Sequence, residues 1–166
     1  VEVAVAAGGG YSSIAVGDID GDGNLDLMGA GSHDVSVLLG NGDGTFADAT
    51  AVNVTDPAGE EYLSSVAVGD FDGDGKLDVL YSNGDTLDAP YLLRPDHGVT
   101  WLQNRGTYPF TPHRLADCPG AGSPVAADFT GSGRLDVAFV SFLPGQLFPQ
   151  RRQQKLDAVV LLEQVE

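Results

Sequence analysis

Three observations predict an all-β fold of repeated blades for this sequence. A nine-residue acidic loop, Asp18 to Asp26, returns as Asp70 to Asp78 and, altered, as Asp128 to Asp136. The copies start 52 and 58 residues apart, near or slightly above the length of a β-propeller blade repeat. The flanks of each loop are short apolar runs that alternate rather than follow a helical period.

Each unit opens on a small-residue strand that ends at the first aspartate: Ser13 to Asp18, Ser65 to Asp70 and Ser123 to Asp128. A second strand follows the loop over Leu25 to Ala30, Leu77 to Ser82 and Leu135 to Ser141. The third covers Val35 to Asn41, Gly98 to Asn104 and Ala158 to Gln164. The fourth is predicted over Phe46 to Val54 in the first unit and about Phe110 to Leu115 in the second. Turns at Gly42-Asp43-Gly44 and Arg105-Gly106-Thr107 join third to fourth strands. Asn41 and Asp43 therefore read as turn residues rather than ligands.

The opening Val1 to Ala6 reads as an isolated fourth strand, so the order is one strand, two full blades, then three strands. The expected layout is one repeat domain over 1–166: residues 1–10 a strand of a preceding or closing blade, 11–57, 58–117 and 118–166 the three blades, the last lacking its fourth strand. Propellers close with about four to eight blades. The expectation is thus a partial propeller, completed by further blades or another chain, because an uncovered strand edge pairs readily. Pairing of residues 1–6 with 158–164 in the same molecule is the alternative.

The loop itself points to a hard cation. Four carboxylates within nine residues repel one another unless a cation sits among them, and Ca²⁺ takes about six to eight oxygen ligands. Asp18, Asp20 and Asp22 occupy positions 1, 3 and 5, and Asp26 position 9; Asp70, Asp72, Asp74 and Asp78 repeat the set. Position 6 is glycine in both, Gly23 and Gly75, which lets the backbone fold back on the ion. Position 7 changes from Asn24 to Lys76, so a ligand there comes from the carbonyl and leaves the side chain idle. An EF-hand shares this opening but needs a glutamate at position 12; here that position is Gly29 or Tyr81. The third loop keeps Asp128 and Asp136 but has Thr130, Ser132 and Arg134 at positions 3, 5 and 7. Two carboxylates in place of four make it the weaker site, its occupancy open.

Composition narrows the function. The 166 residues are 42% hydrophobic, enough for one domain with a core, and carry a net charge of −16. The aspartates are bunched in loops, and even with two dications bound the balance opposes nucleic acid. No apolar run approaches the roughly 18 residues that span a bilayer, and no basic region followed by an apolar one opens the chain. The expectation is a mature soluble protein. Cys118 is the single cysteine, so an internal disulfide is impossible. Loops of this kind are most useful where free calcium is abundant, which predicts extracellular, periplasmic or cell-surface residence.

The run Val-Ala-Val-Gly-Asp70-x-Asp-Gly-Asp-Gly-x-Leu-Asp78, its counterpart at Ala15 to Asp26, and Leu39-Gly-Asn-Gly-Asp-Gly-Thr-Phe46 resemble the FG-GAP/VCBS repeat family, the blades of integrin-α-type β-propellers. The resemblance spans nearly the whole chain. It implies four-stranded antiparallel blades with Ca²⁺ in the turn between first and second strands. The implied ligands are Asp18, Asp20, Asp22, the Asn24 carbonyl and Asp26, then Asp70, Asp72, Asp74, the Lys76 carbonyl and Asp78. Thr130 and Ser132 depart from that pattern.

Longer connections between second and third strands, about 83–97 and 141–155, carry Arg94, Arg151, Arg152 and Lys155 beside Tyr91, Leu92, Phe142 and Phe148. Loops on a rigid scaffold are where recognition tends to reside. Tyr91, Arg94, Phe148, Arg151 and Arg152 are accordingly the expected partner-binding residues, on the face opposite the metal loops. The leading function is a calcium-binding module outside the cytoplasm for protein or glycan interaction. The alternatives are a structural subunit of a larger assembly and an accessory or catalytic domain of a secreted hydrolase or lyase. His33, His97 and His113 have no nearby serine, cysteine or paired carboxylate in a catalytic arrangement, and the carboxylates that cluster are taken by the metal loops, so no enzyme is expected.

Overall fold

The computed structural model describes residues 10–31, 34–53, 63–84, 97–141 and 159–163. Among these residues eleven strands form three antiparallel sheets, and there is no helix. The first sheet runs β1 (Ser13–Gly17), β2 (Asp26–Ala30), β3 (Asp34–Leu38), β4 (Thr50–Asn53) in spatial and chain order. The second repeats it with β5 (Ser65–Gly69), β6 (Asp78–Ser82), β7 (Gly98–Gln103) and β8 (Thr111–Asp117). The third holds β9 (Ala121–Ala127), β10 (Asp136–Ser141) and β11 (Val159–Leu162). Consecutive antiparallel sheets in simple up-and-down order are propeller blades.

Register explains why the loops sit where they do. Gly17 pairs with Asp26, Gly69 with Asp78 and Ala127 with Asp136. Each nine-residue loop therefore closes the hairpin between the first and second strands of its sheet. The first strands lie side by side, β1 against β5 and β5 against β9. Serines stitch that seam: Ser12 Oγ donates to the Leu63 carbonyl at 2.5 Å, and Ser64 Oγ to the Ala121 carbonyl at 3.2 Å.

Alternation along the strands builds a core between neighbouring sheets rather than within one. Met28, Val35 and Val37 of the first sheet meet Val66, Val79 and Tyr81 of the second. Leu80, Val99 and Phe71 of the second meet Val137, Phe139 and Ala121 of the third. Close approach is enforced by glycine at one point in each junction. A Cβ on Gly17 would lie 2.6 Å from Leu77 Cδ1, and one on Gly69 would lie 2.8 Å from Leu135 Cδ1.

Two strands of the first sheet fall short of their expected extent by more than one residue; the third ends at Leu38 rather than Asn41. The fourth strand of the first sheet begins at Thr50, and Phe46 makes only an isolated bridge with Gly40. The intervening turn is closed instead by Asn41 N–H on the Thr45 carbonyl and by Thr45 N–H on Asp43 Oδ1. The expected strand at Val1 to Ala6 and most of the 83–97 and 141–155 connections lie outside the described residues.

Candidate metal centre

The first aspartate of each loop organises the turn. Asp18 Oδ1 accepts the N–H groups of Gly21 at 2.8 Å and Asp22 at 3.1 Å, and its Oδ2 that of Gly23 at 2.9 Å. Asp70 repeats this with Gly73, Asp74 and Gly75 at 2.8, 3.1 and 3.0 Å. Asp128 does so with Ser132 and Gly133 at 2.9 and 2.8 Å. Wrapping three N–H groups around one carboxylate needs positive φ at position 6, found at Gly23, Gly75 and Gly133 with φ of 90°, 86° and 84°.

The last aspartate is buried in all three loops and ties them to the sheet. Asp26 accepts Ile19 N–H and Gly40 N–H, both at 2.7 Å. Asp78 accepts Phe71 N–H at 3.1 Å and Asn104 N–H at 2.7 Å. A carboxylate so placed joins the loop to the turn between third and fourth strands. Burial pushes the Asp78 carboxyl above its usual range, opposed by the backbone N–H groups of Asn104 and Phe71.

The fold brings Asp18, Asp20 and Asp26 together, with one carboxylate oxygen from each within 4.8 Å of the others. Asp70, Asp72 and Asp78 form the same trio. Burial raises the Asp20 carboxyl above its ordinary range, and the charges of Asp22, Asp26 and Asp18 add to that, against the Asp22 N–H, which lowers it. Three hard oxygens converging from a rigid turn are the donor set that suits Ca²⁺. Asp22 and Asp74 stand outside the trios. Asp22 Oδ2 accepts Asn24 Nδ2 at 2.9 Å, and Asp74 Oδ2 accepts Lys76 Nζ at 2.6 Å. The position-7 side chain, expected to be idle, thus holds the position-5 carboxylate in both loops. In the second loop it does so with a full charge: hydrogen bonding to Lys76 lowers the Asp74 carboxyl, and Asp74 raises the Lys76 amine.

The third loop spends its side chains on itself. Asp136 Oδ2 accepts Phe129 N–H, Thr130 N–H and Thr130 Oγ1, all at 3.0 Å. Ser132 Oγ accepts Arg134 N–H at 3.3 Å, as the position-5 aspartates do from position 7. The Thr130 hydroxyl is a donor where Asp20 and Asp72 are acceptors, so it pairs with the last aspartate instead of repelling it.

Two residues with no sequence signal complete the second site. Gln103 Nε2 donates to Asp72 Oδ2 at 2.5 Å, while its Oε1 faces His113 Nε2 at 3.2 Å. His113 in turn stacks on Trp101 with ring centroids 4.6 Å apart. Asn104 Nδ2 donates to the carbonyls of Ile19 at 2.8 Å and Leu77 at 2.9 Å, joining the first and second loops. Beside Trp101 lies an open groove of about 640 Å³ between the second and third sheets, lined by Phe71, Trp101, Leu115, Leu135, Val137 and Leu162 among others. Tyr91, Arg94, Phe148, Arg151 and Arg152 lie outside the described residues.

Blades joined face to face, each with an aspartate-organised loop between its first two strands, define a β-propeller module. Residues 18–81, which hold the first two loops, match the family model of the FG-GAP-like repeat. Human (Homo sapiens) cartilage acidic protein 1 is 29% identical over 143 residues, covering 83% of this chain and 20% of that protein. The Mus musculus protein of the same name is 31% identical over 129 residues, covering 76% and 19%. The chain thus spans about a fifth of the length of these curated relatives. Among solved structures, an Agrocybe aegerita lectin that specifically recognises non-reducing terminal N-acetylglucosamine superposes with a TM-score of 0.50 at 26% identity, over 75% of this chain and 31% of that one.

Proposed function

We propose that this chain is a calcium-stabilised propeller module that works outside the cytoplasm and presents its blades to a glycan or protein partner, with no catalytic step of its own. The observation that carries this reading is the pair of carboxylate trios, Asp18/Asp20/Asp26 and Asp70/Asp72/Asp78, each held on a loop whose shape is fixed by backbone hydrogen bonds. Asp22 and Asp74 stand ready as further ligands once released from position 7. Bound Ca²⁺ neutralises the clustered charge and locks the first two strands of a blade together. The lectin likeness favours a glycan, and the groove beside Trp101 offers an aromatic and apolar wall for the face of a sugar ring. Residence outside the cytoplasm follows from calcium supply and accords with the name of the curated relatives.

Trp101 is the only tryptophan, which makes its fluorescence a direct report on that groove. Titration calorimetry with CaCl₂ is expected to give two equivalents per chain, and a chito-oligosaccharide ending in N-acetylglucosamine is expected to shift the Trp101 emission in calcium. No calcium heat sinks the metal reading. Calcium binding with an unmoved Trp101 spectrum discards the glycan at this groove and leaves the metal reading standing.

A further inference from the structure

The second metal loop has a connection that the first lacks. Gln103 Nε2 donates to Asp72 Oδ2, and its Oε1 accepts Arg105 Nε at 3.1 Å and Nη2 at 2.9 Å. A guanidinium has only donors and an ionised carboxylate only acceptors, so the amide is held in one orientation. His113 Nε2 lies 3.2 Å from the same Oε1, and the His113 ring stacks on Trp101 with its plane 27° from the indole. Trp101 and Phe71, with ring centroids 6.4 Å apart, form the aromatic wall of the groove between the second and third sheets. Contacts therefore run unbroken from Asp72, a member of the carboxylate trio, to that wall. The first blade follows the same plan without them. Leu38 pairs with Leu27 as Leu102 pairs with Val79, and Val37 pairs with Thr50 as Trp101 pairs with His113. Leu39, Val37 and Thr50 thus stand at the positions of Gln103, Trp101 and His113. Leu39 packs against the core, and Asp20, the counterpart of Asp72, accepts the Asp22 N–H with no side-chain donor among the described residues.

We propose that Gln103 is a positioning residue that couples cation occupancy of the second loop, and not of the first, to the Trp101 wall of the groove, a step that rests on the calcium reading of the trios. An anionic Asp72 holds the Gln103 amide by a charge-assisted hydrogen bond, roughly twice as strong as a neutral one. A cation among Asp70, Asp72 and Asp78 takes up that charge and weakens the hold. The amide, tied at its other end to Arg105, then shifts, and His113 moves with it across the face of Trp101. The groove accordingly presents two walls, one for the filled second loop and one for the empty loop. Coupling of this kind is reciprocal. A molecule seated against Trp101 changes the calcium affinity of the second loop by the factor that calcium changes its own, and the first loop takes no part.

Emission of Trp101, followed while CaCl₂ is titrated into the intact chain and set beside calorimetry of the same titration, tests the proposal. In the wild type the emission is expected to follow the filling of one of the two sites. Asp20→Asn disables the first loop and leaves the calcium-dependent emission change in full; Asp72→Asn disables the second and abolishes it. Gln103→Leu, which copies the first blade, keeps both calcium equivalents and loses the emission change. The two aspartate variants carry the test alone if Gln103→Leu does not fold. Calcium heat with unmoved wild-type emission overturns the coupling and leaves the metal reading standing, whereas no calcium heat removes both. An emission change that survives Gln103→Leu also overturns it, because Trp101 then senses the loop through Phe71. Loss of the change in Asp20→Asn with its retention in Asp72→Asn assigns the coupling to the wrong loop and overturns it as well.

Discussion

The first and third loops share a backbone course but solve their electrostatics differently. In the first, Asp18, Asp20 and Asp26 bring three carboxylates within 4.8 Å, an arrangement that stores repulsion in the absence of a cation. In the third, Thr130 donates its hydroxyl to Asp136, so the corresponding contact is attractive with no ion present. The turn survives in both because Asp128, like Asp18, still gathers backbone N–H groups. The difference teaches that the loop's shape and its charge are separable. Backbone hydrogen bonds and positive-φ glycines set the shape; positions 3 and 5 decide whether a cation is wanted. The second loop adds a gradation, since Lys76 supplies a covalently attached cation to Asp74 where the first loop has only the amide of Asn24.

The most damaging change should be one that ignores the comparison altogether. Asp26→Ala strands two buried N–H donors, Ile19 and Gly40, and is expected to cost about 3 kcal/mol in chelator and more in calcium, where a ligand is lost as well. Urea unfolding with and without chelator reads this directly, and a loss confined to the calcium-loaded protein contradicts the structural role assigned to the ninth position. A smaller effect should come from converting the third loop into the first. Thr130→Asp with Ser132→Asp is expected to lower the melting temperature in chelator, raise it in calcium, and add a third equivalent in calorimetry. Two equivalents in that variant mean that more than positions 3 and 5 separates the loops. The mildest change addresses the second loop: Lys76→Asn should raise its calcium affinity by a few fold and leave the first loop's unchanged, because one internal competitor for Asp74 is gone. Unequal sites that stay unequal after this substitution would place the difference elsewhere, Gln103 on Asp72 being the next candidate.

Much of the fold was written locally. The hairpins between first and second strands follow from Asp-x-Asp-Gly-x-Gly, because the bonds that close them link residues three to five apart, such as Gly21 and Gly23 to Asp18. The repeat spacing then gives a sheet to each loop, and alternation gives each sheet its two apolar faces. Position 7 is not legible locally: Lys76 reaches the Asp74 carboxylate two residues away only because of the curvature of the turn. The expected strand over Phe46 reduces to one bridge for a similar reason, because apolar residues beside a turn pair only if the turn geometry delivers them to the adjacent strand.

Sequence alone determined the blade repeat, the acidic loops and the residues that close them, since these depend on residue identity within a window of about nine positions. Only the tertiary structure decided that Gln103 reaches Asp72 across 31 residues, that Asn104 reaches Ile19 across 85, and that the Thr130 hydroxyl takes the partner a cation would otherwise serve. It also decided that Phe71 is covered while Phe129, at the same loop position, is bare. Local hydrogen bonds are fixed by chain connectivity, whereas burial and long-range pairing depend on which blade face lies opposite, and that is a property of the stacking rather than of any one repeat.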